Sequence, residues 1–531
     1  MMRGYRCLKK SNRLDRIGVI KQELTVQSLG LAPELFSSIL MGASLSCSEL
    51  VLRQYLLLRI GGLDLNKALL KSASKPGRQV VFSMPSVWCD VIERHGFKVN
   101  RFRSMLLWQL FVLRFWILGV ARATKILFDR KTTDCPEFRN PYAYFADLGL
   151  SNLPIEREGK ESRCIVSWYM EWQGKRSDIQ SIHHSVAALP SLKVDGYTVR
   201  MQTGPLPSFS TLKERMRFLL WMTTASILSV LDILRCRWWH AVLLNQAAFA
   251  AQARVVPKEN LAAEYLFHNS NWIYRPMWTY EAQSLGALLF FYFYSTNAQP
   301  FNNVSRCLPA PYGWKAANWP RYLVWDQYQV DFLRAALGDS PEISVVGEIW
   351  FEDRPSGELC VADSTVAVFD VQPHRDSLYQ LYALEYEYYV PDTATQFLAD
   401  IHSVVSELKL GMAFKKKREI KSIAHPRYRS LLKSLEGEPG ITFLSPTNSA
   451  SCLIEKCFAV ISMPFTSTAL IGHLQGKPSI YYDPNGGVLK GDCAAHGIEI
   501  IIGKEELRAW LLKSMVRTGV SQASVTNLVE T

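Results

Sequence analysis

Three apolar runs near the carboxyl end of the chain break off in residues that can handle charge. IKSIAHP ends in His425 and Pro426, with Arg427 next. FAVISMP ends in Ser462 and runs on through Pro464, Phe465, Thr466, Ser467 and Thr468. PSIYYDP ends in Asp483 and Pro484. If each run is a strand and the hydroxyl cluster opens a helix, STALIGHLQG, the chemistry is anion binding. A helix start presents amide N–H groups without intrahelical partners, together with a partial positive charge, and hydroxyls add donors. Such a cradle holds a phosphate without a glycine-rich loop. His425 is then placed to bond or protonate a phosphate oxygen, and Asp483 to meet a ribose hydroxyl or an acceptor. Taken singly, a His-Pro, an Asp-Pro or a Ser/Thr before a helix is an ordinary turn or cap. Together, at the strand ends of one open α/β sheet, they indicate a nucleotide mono- or diphosphate site.

Group transfer from such a nucleotide needs a base for the incoming hydroxyl. Candidates lie further upstream: Glu281 in RPMWTYE, Asp326 in VWDQY and His268 in YLFHNS. Each also has an ordinary role, Glu281 as a partner for Arg275 and His268 as a satisfied core histidine. Other chemistries are disfavoured. There is no GxGxxG, no P-loop and no GxSxG elbow; GHLQGKP at 472–478 has the wrong spacing for a P-loop. No Asp-x-Asp occurs, and His183-His184 lacks the spacing of a helical zinc pair. No cofactor and no metal site are expected.

The elements that must position these residues alternate. RQVVFSMPS (78–86) reads as a first strand; SRCIVSWYM (162–170), ENLAAEYLFHNS (259–270), GALLFFYFYST (286–296) and RYLVWDQYQ (321–329) come after it. Charge-free runs such as ALLFFYFY suit parallel strands buried on both faces. A second series begins near Pro341 with ISVVGEIWF and continues through STVAVFDVQP, a helix over about 392–408, REIKSIAHP, ITFLSP, FAVISMP, PSIYYDP and GIEIIIGKEELRAWLL. That rhythm is one doubly wound domain. The expected organisation is a helical extension over 1–75, an α/β domain over 76–340, an α/β domain with the nucleotide site over 341–515 and a tail over 516–531. GDSPE (338–342) is the expected hinge.

Two runs stand apart. MLLWQLFVLRFWILGV (105–120) and FLLWMTTASILSVL (218–231) are apolar, contain Trp and are bordered by Arg. Each is shorter than the roughly 20 apolar residues that a bilayer crossing needs. They are read as buried core helices, with docking at a membrane interface as the alternative. A formal net charge of +12 on 531 residues suits an anionic partner. No nucleic-acid motif accompanies it. The 11 cysteines show no CxxC pairing and read as reduced thiols of a cytoplasmic protein. The basic start MMRGYRCLKKSNRLDR has no apolar run behind it and is not read as a secretory signal.

The stretch ISMPFTSTALIGHLQGKPSIYYDP resembles the signature of the bacterial polysaccharide biosynthesis PFTS-motif proteins, and NSNWIYRPMWTYEAQSLGALLFFYFYSTN and WPRYLVWDQYQVDFL resemble that family as well. The resemblance spans about residues 260–490. More distantly, the His-Pro and Ser/Thr strand ends resemble GT-B glycosyltransferases that use CMP-sugars, such as bacterial sialyltransferases. That resemblance implies His425 and Pro426 in one nucleotide-holding motif and Ser467 and Thr468 in the other. The acidic motif of those enzymes has no counterpart: FEDR at 351–354 lacks its glycine. The implied fold is GT-B-like, two Rossmann-like domains facing across a cleft, with 76–340 as the acceptor domain. The implied activity is metal-independent glycosyl transfer in surface polysaccharide synthesis, capsular or O-antigen-type. The donor would be a nucleotide-sugar, CMP-linked in preference to UDP-linked, and the acceptor a glycan or lipid-linked glycan. The place of action would be the cytoplasm or, peripherally, the anionic inner face of the cytoplasmic membrane. A non-catalytic nucleotide- or glycan-binding assembly protein and a nucleotide-sugar epimerase are the alternatives.

Overall fold

The computed structural model describes all residues except 31–44, 130–140, 149–163, 174–177, 186–191, 195–196, 203, 270–271, 297–301, 303–313, 315–316, 350–360, 376–377, 380–387, 418–423, 447 and 521–531. Among the described residues, fourteen strands form two sheets. The first contains β1 (Tyr142–Phe145), β2 (Ser181–His184), β3 (Leu192–Val194), β4 (Tyr197–Met201), β5 (Glu264–His268), β6 (Leu288–Tyr292), β7 (Arg321–Val324) and β8 (Glu342–Val345), in the order β3-β4-β2-β1-β5-β6-β7-β8. All its pairs are parallel except β3 with β4. The second contains β9 (Thr365–Phe369), β10 (Gly411–Lys415), β11 (Ile441–Leu444), β12 (Ala459–Ser462), β13 (Ser479–Asp483) and β14 (Glu499–Ile502). Its order is β11-β10-β9-β12-β13-β14, wholly parallel. Counted from β9, that is the 3-2-1-4-5-6 order of the doubly wound Rossmann sheet. The expected α/β class with two Rossmann-like sheets is what the chain adopts.

Apolar runs make the central strands. Every residue of TVAVF in β9 and of AVIS in β12 is buried, as a parallel strand covered on both faces requires. Edge strand β8 is exposed or half-buried throughout. It is a correction to the strand assignment: EISV does not open the second sheet but closes the first, pairing with β7 after the Gln327–Leu337 helix. RQVVFSMPS is not a ladder strand either. Only Val80 pairs, with Val99, because Pro85 already caps the Ser86–Arg94 helix and leaves no length for more. SRCIVSWYM is helical over Ile165–Gln173, with Trp168, Tyr169 and Trp172 packed on Tyr292, Phe145 and Phe290 of the sheet. Strands β1, β2, β3, β4 and β10 arise from segments not singled out as strands. In REIKSIAHP, residues 418–423 lie outside the described residues, and Ala424 forms an isolated antiparallel bridge with His374. FEDR lies outside them too.

The two apolar runs also depart from the core-helix reading. They extend into helices Arg101–Phe128 and Leu212–Leu234, and only 22% and 17% of their most apolar stretches are buried. The reason is the Trp239–Val255 helix, WHAVLLNQAAFAAQARV. It is apolar and alanine-rich on nearly every side, and it buries residues all along its length. It occupies the core position and leaves the long helices outside it. The approach is close at Gly119, where an added Cβ would lie 2.7 Å from the Leu244 side chain.

Candidate functional site

In an open parallel sheet, ligands sit outside the carboxyl ends of strands where the winding reverses. In the second sheet, β10 and β12 flank β9, so the reversal lies between β9 and β12. Two adjacent tyrosines of β13 show that the connecting helices cover opposite faces. The Tyr482 hydroxyl donates to Asp400 on the Pro391–Glu407 helix at 2.8 Å, and the Tyr481 hydroxyl to the Thr466 carbonyl, beside the Ser467–Leu474 helix, at 3.0 Å. The chain therefore leaves β9 and β12 in diverging directions, the place where sheets of this kind leave a crevice between the two strand ends.

The hydroxyl cluster forms one wall. The Met463 amide donates to the Phe369 carbonyl at 2.8 Å and carries the strand pairing one step further. Phe465 then takes a left-handed backbone, φ 63°, with its ring edge-on to Tyr481 at 5.7 Å. Thr466 is the N-cap, but its hydroxyl donates back to the Met463 carbonyl at 2.9 Å instead of capping the helix. Ser462, fully buried at the end of β12, shares a hydrogen bond with the Thr468 hydroxyl at 2.8 Å, and Thr466 stands 3.3 Å from the same hydroxyl. Among the described residues, neither the Ser467 nor the Thr468 amide has a hydrogen-bond partner. Both residues are half-buried. This is the helix start that the sequence indicated, with its donors unspent.

The opposite wall comes from the segments after β9 and β10. The Asp370 side chain is buried and accepts a short hydrogen bond from the Tyr428 hydroxyl, while its other oxygen has no partner. Burial pushes the Asp370 carboxyl up to about 7, against the pull of Tyr428, Lys417 and Lys416. His425 caps the Pro426–Leu435 helix, and its amide donates to the Pro373 carbonyl at 3.0 Å, which brings the half-buried imidazole beside the segment leaving β9. Pro426 is exposed at the first helical position, where its fixed φ suits the turn. A relay joins the walls. The His374 amide donates to the Tyr379 hydroxyl at 3.0 Å, that hydroxyl to the Tyr389 carbonyl at 2.7 Å, and the Tyr389 hydroxyl to the Pro464 carbonyl at 2.7 Å. Asp370, His374, Lys416, Lys417 and Tyr389 were not singled out in the sequence. The signal for Asp370 was present, an acid closing the run STVAVFD as Asp483 closes SIYYD.

Asp483 proves to be a turn organiser. It is fully buried and accepts from the Asn485 amide at 3.1 Å, the Val488 amide at 2.8 Å and the Tyr388 hydroxyl at 3.1 Å. Glu281 is occupied by Arg254, in two contacts of 3.2 Å, and not by Arg275, which bonds Thr279 and Gln283 instead. Asp326 caps the Gln327–Leu337 helix by accepting from the Gln329 amide and pairs with His496 Nδ1 at 2.6 Å, a contact that links the two sheets. Its charge also bears on Tyr481, whose pKa rises through burial first and Asp326 second.

His268 is differently placed. The first sheet reverses between β1 and β5, and His268 ends β5. Neighbouring Glu264 and Tyr265 reach helices on opposite faces, Tyr169 at 2.6 Å and Trp278 at 4.9 Å between ring centroids. His268 Nε2 lies 3.1 Å from the Asp147 carbonyl, across the reversal. A carbonyl only accepts, so Nε2 carries the proton and Nδ1, buried without a partner, keeps its lone pair. Burial lowers the pKa of His268, and the Asp147 contact opposes this.

The family model for polysaccharide biosynthesis PFTS motif proteins matches residues 221–511. The chain belongs to that family. The match takes in β9 and β12 at the reversal of the second sheet, and β5 with His268 but not β1 at the reversal of the first. No curated protein matches the chain. Among solved structures, UGT71G1 of Medicago truncatula complexed with UDP-glucose is similar at 10% identity and TM-score 0.34, over 74% of this chain and 94% of that one. UGT89C1 of Arabidopsis thaliana complexed with UDP-L-rhamnose gives 11% and 0.37, over 74% and 93%. The UDP-GlcNAc 2-epimerase of Methanocaldococcus jannaschii gives 9% and 0.36, over 71% and 92%. At such TM-scores these likenesses carry no weight for function.

Proposed function

We propose that this PFTS-motif protein is a glycosyltransferase of surface polysaccharide synthesis. The β9/β12 crevice holds the phosphate of a nucleotide-sugar, and the β1/β5 crevice presents the acceptor. One observation carries the reading: the unpartnered Ser467 and Thr468 amides open at the reversal point of a Rossmann-order sheet. Charge that develops on a leaving phosphate meets donors already fixed in place, which is where preorganised amides lower a barrier most. On the opposite side Lys416 adds positive charge, and His425 a ring nitrogen that can bond a phosphate oxygen. On the acceptor side, His268 Nδ1 takes the hydroxyl proton as the sugar–phosphate bond breaks and the new glycosidic bond forms. Glu281 and Asp326 give way to it, because their carboxylates are already engaged. Asp483 shapes the loop and leaves the ribose to other groups.

The reading extends to a CMP-sugar in preference to a UDP-sugar, a glycan or lipid-linked acceptor, and transfer that continues in excess EDTA. A thermal-shift screen of CMP, UDP, GDP and their sugars is the direct test, since a ligand at about 100 times its Kd adds roughly 2.7 kcal/mol. The expected result is a shift with one nucleotide family, and release of free nucleotide only when acceptor is added. Binding without release points to an assembly protein. Sugar interconversion without acceptor points to an epimerase. No shift with any nucleotide overturns the site.

A further inference from the structure

We propose that the Arg101–Phe128 and Leu212–Leu234 helices form a face that lies flat on an anionic lipid bilayer. The inference is independent of the transfer reading. Both helices are long and apolar enough to cross a membrane. Each, however, is fixed to the protein along one stripe: Ser104, Trp108, Val112, Gly119 and Ala123 on the first, Phe218, Ala225 and Ser229 on the second. Trp108 packs at 5.1 Å on Trp238, the N-cap of the inner helix, and Trp116 Nε1 donates to the Ser226 carbonyl at 3.3 Å, a bond that joins the two long helices. A helix bound along its length cannot leave to span a bilayer without stripping that stripe. Its opposite face remains available.

That face is aliphatic. Leu106, Leu110, Leu113 and Ile117 repeat at helical spacing, as do Leu220, Ile227, Leu231 and Leu234, and all are exposed, Leu220 by 71% and Leu110 by 55%. So large an apolar area is unusual on a soluble surface. Its charges identify the occupant. Arg103, Arg114 and Lys125 on one helix and Lys213 and Arg217 on the other are exposed. The only acids in the two helices, Glu214 and Asp232, are buried, the first closing the capping box with Thr211 and the second bonded to His240. Apolar faces on helices whose own exposed charges are all cations complement anionic lipid headgroups over an acyl interior. A second copy docked face to face would set these cations against each other.

The test is co-sedimentation of the full chain, without nucleotide, with vesicles of phosphatidylcholine plus phosphatidylglycerol, against phosphatidylcholine alone. Binding is expected to the anionic vesicles and to weaken as salt rises. Joint replacement of Leu106→Ser, Leu110→Ser, Leu220→Ser and Ile227→Ser should lower vesicle affinity more than tenfold. The charge variant Arg103→Glu, Lys125→Glu, Arg217→Glu should do so as well, and it touches no apolar packing. Both should keep the wild-type circular-dichroism melt. A wild-type chain that ignores anionic vesicles overturns the proposal, as do charge-reversed variants that bind like wild type. So does a wild-type dimer that the leucine variant dissociates with no vesicle binding in either form.

Discussion

The β1/β5 and β9/β12 crevices obey one winding rule, and their walls differ in kind. At β1/β5, His268 stands among rings, with Tyr292 at 5.7 Å and Tyr294 at 5.8 Å between centroids, and its neutral form is favoured by burial. At β9/β12 the walls carry hydroxyls, two open amides and the lysines just beyond β10. Aromatic surroundings with a neutral base suit an uncharged hydroxyl acceptor, and open amides beside cations suit an anion. On the proposed reading, one architecture divides a transfer reaction into a neutral half and a charged half by changing only the residues at and beyond its strand ends.

The comparison breaks most visibly at His268. Replacing it with Ala should lower turnover about 10²- to 10⁴-fold, with nucleotide affinity unchanged in the thermal-shift assay. Loss of nucleotide binding instead would place both halves of the reaction in one crevice. His425→Ala tests the other side. Turnover should fall on the order of 10²-fold, now with weaker nucleotide binding.

Next in size is the amide donor itself. Ser467 is the first residue of its helix, and Thr466 before it is extended, φ −83° and ψ 136°. Proline fits both conditions. Ser467→Pro therefore removes one N–H while keeping the helix. Nucleotide binding should weaken by about 1.5–3 kcal/mol, the usual worth of a hydrogen bond to a charged group, as read by titration calorimetry. Ser467→Ala, which removes only the hydroxyl, should cost less. Equal effects from the two changes would move the contact from the backbone to the side chain.

The remaining effect is on stability and concerns Asp370. Its carboxyl titrates near 7 in the folded chain and near 3.9 in an unfolded one. Between those values the folded state keeps a proton that the unfolded state has released. The stabilising contribution is thus complete below about pH 4 and is lost as pH rises through about 7. Asp370→Asn should flatten this slope, worth at most about 1.4 kcal/mol per pKa unit, in denaturation midpoints measured from pH 5 to pH 8. Parallel slopes for wild type and variant would remove Asp370 from the titrating groups of the charged crevice.

The hydroxyl wall was legible in the sequence because its residues are consecutive, and the strands beneath it were legible because AVIS and IYY carry no charge. Strand order was not, since each parallel pair joins distant segments. Neither was the Asp370–Tyr428 contact, made across 58 positions. Strand β10 hid behind its composition, GMAFK running straight into two further lysines. The helix over Ile165–Gln173 was readable, with Ile165, Trp168, Tyr169 and Trp172 at helical period, but the run is short enough to pass for a strand. The outward face of the long helices was left open by their Trp and bordering Arg, which suited either place. A core helix and a lipid-facing helix share a composition, and the decision lay with the Trp239–Val255 helix that took the inner place.

Phe465 has one more consequence. A left-handed backbone at a bulky residue costs roughly 1–2 kcal/mol, and glycine would adopt it freely. The ring against Tyr481 offsets that cost and fixes the turn from outside the backbone. A glycine here would let the Thr466–Thr468 segment wander. The phenylalanine holds it still, so that, if the segment binds the proposed nucleotide, the ordering entropy is spent once, at folding, and not again at each binding event. Phe465→Gly should then leave the bound geometry reachable while slowing nucleotide capture, a change in on-rate that stopped-flow binding resolves.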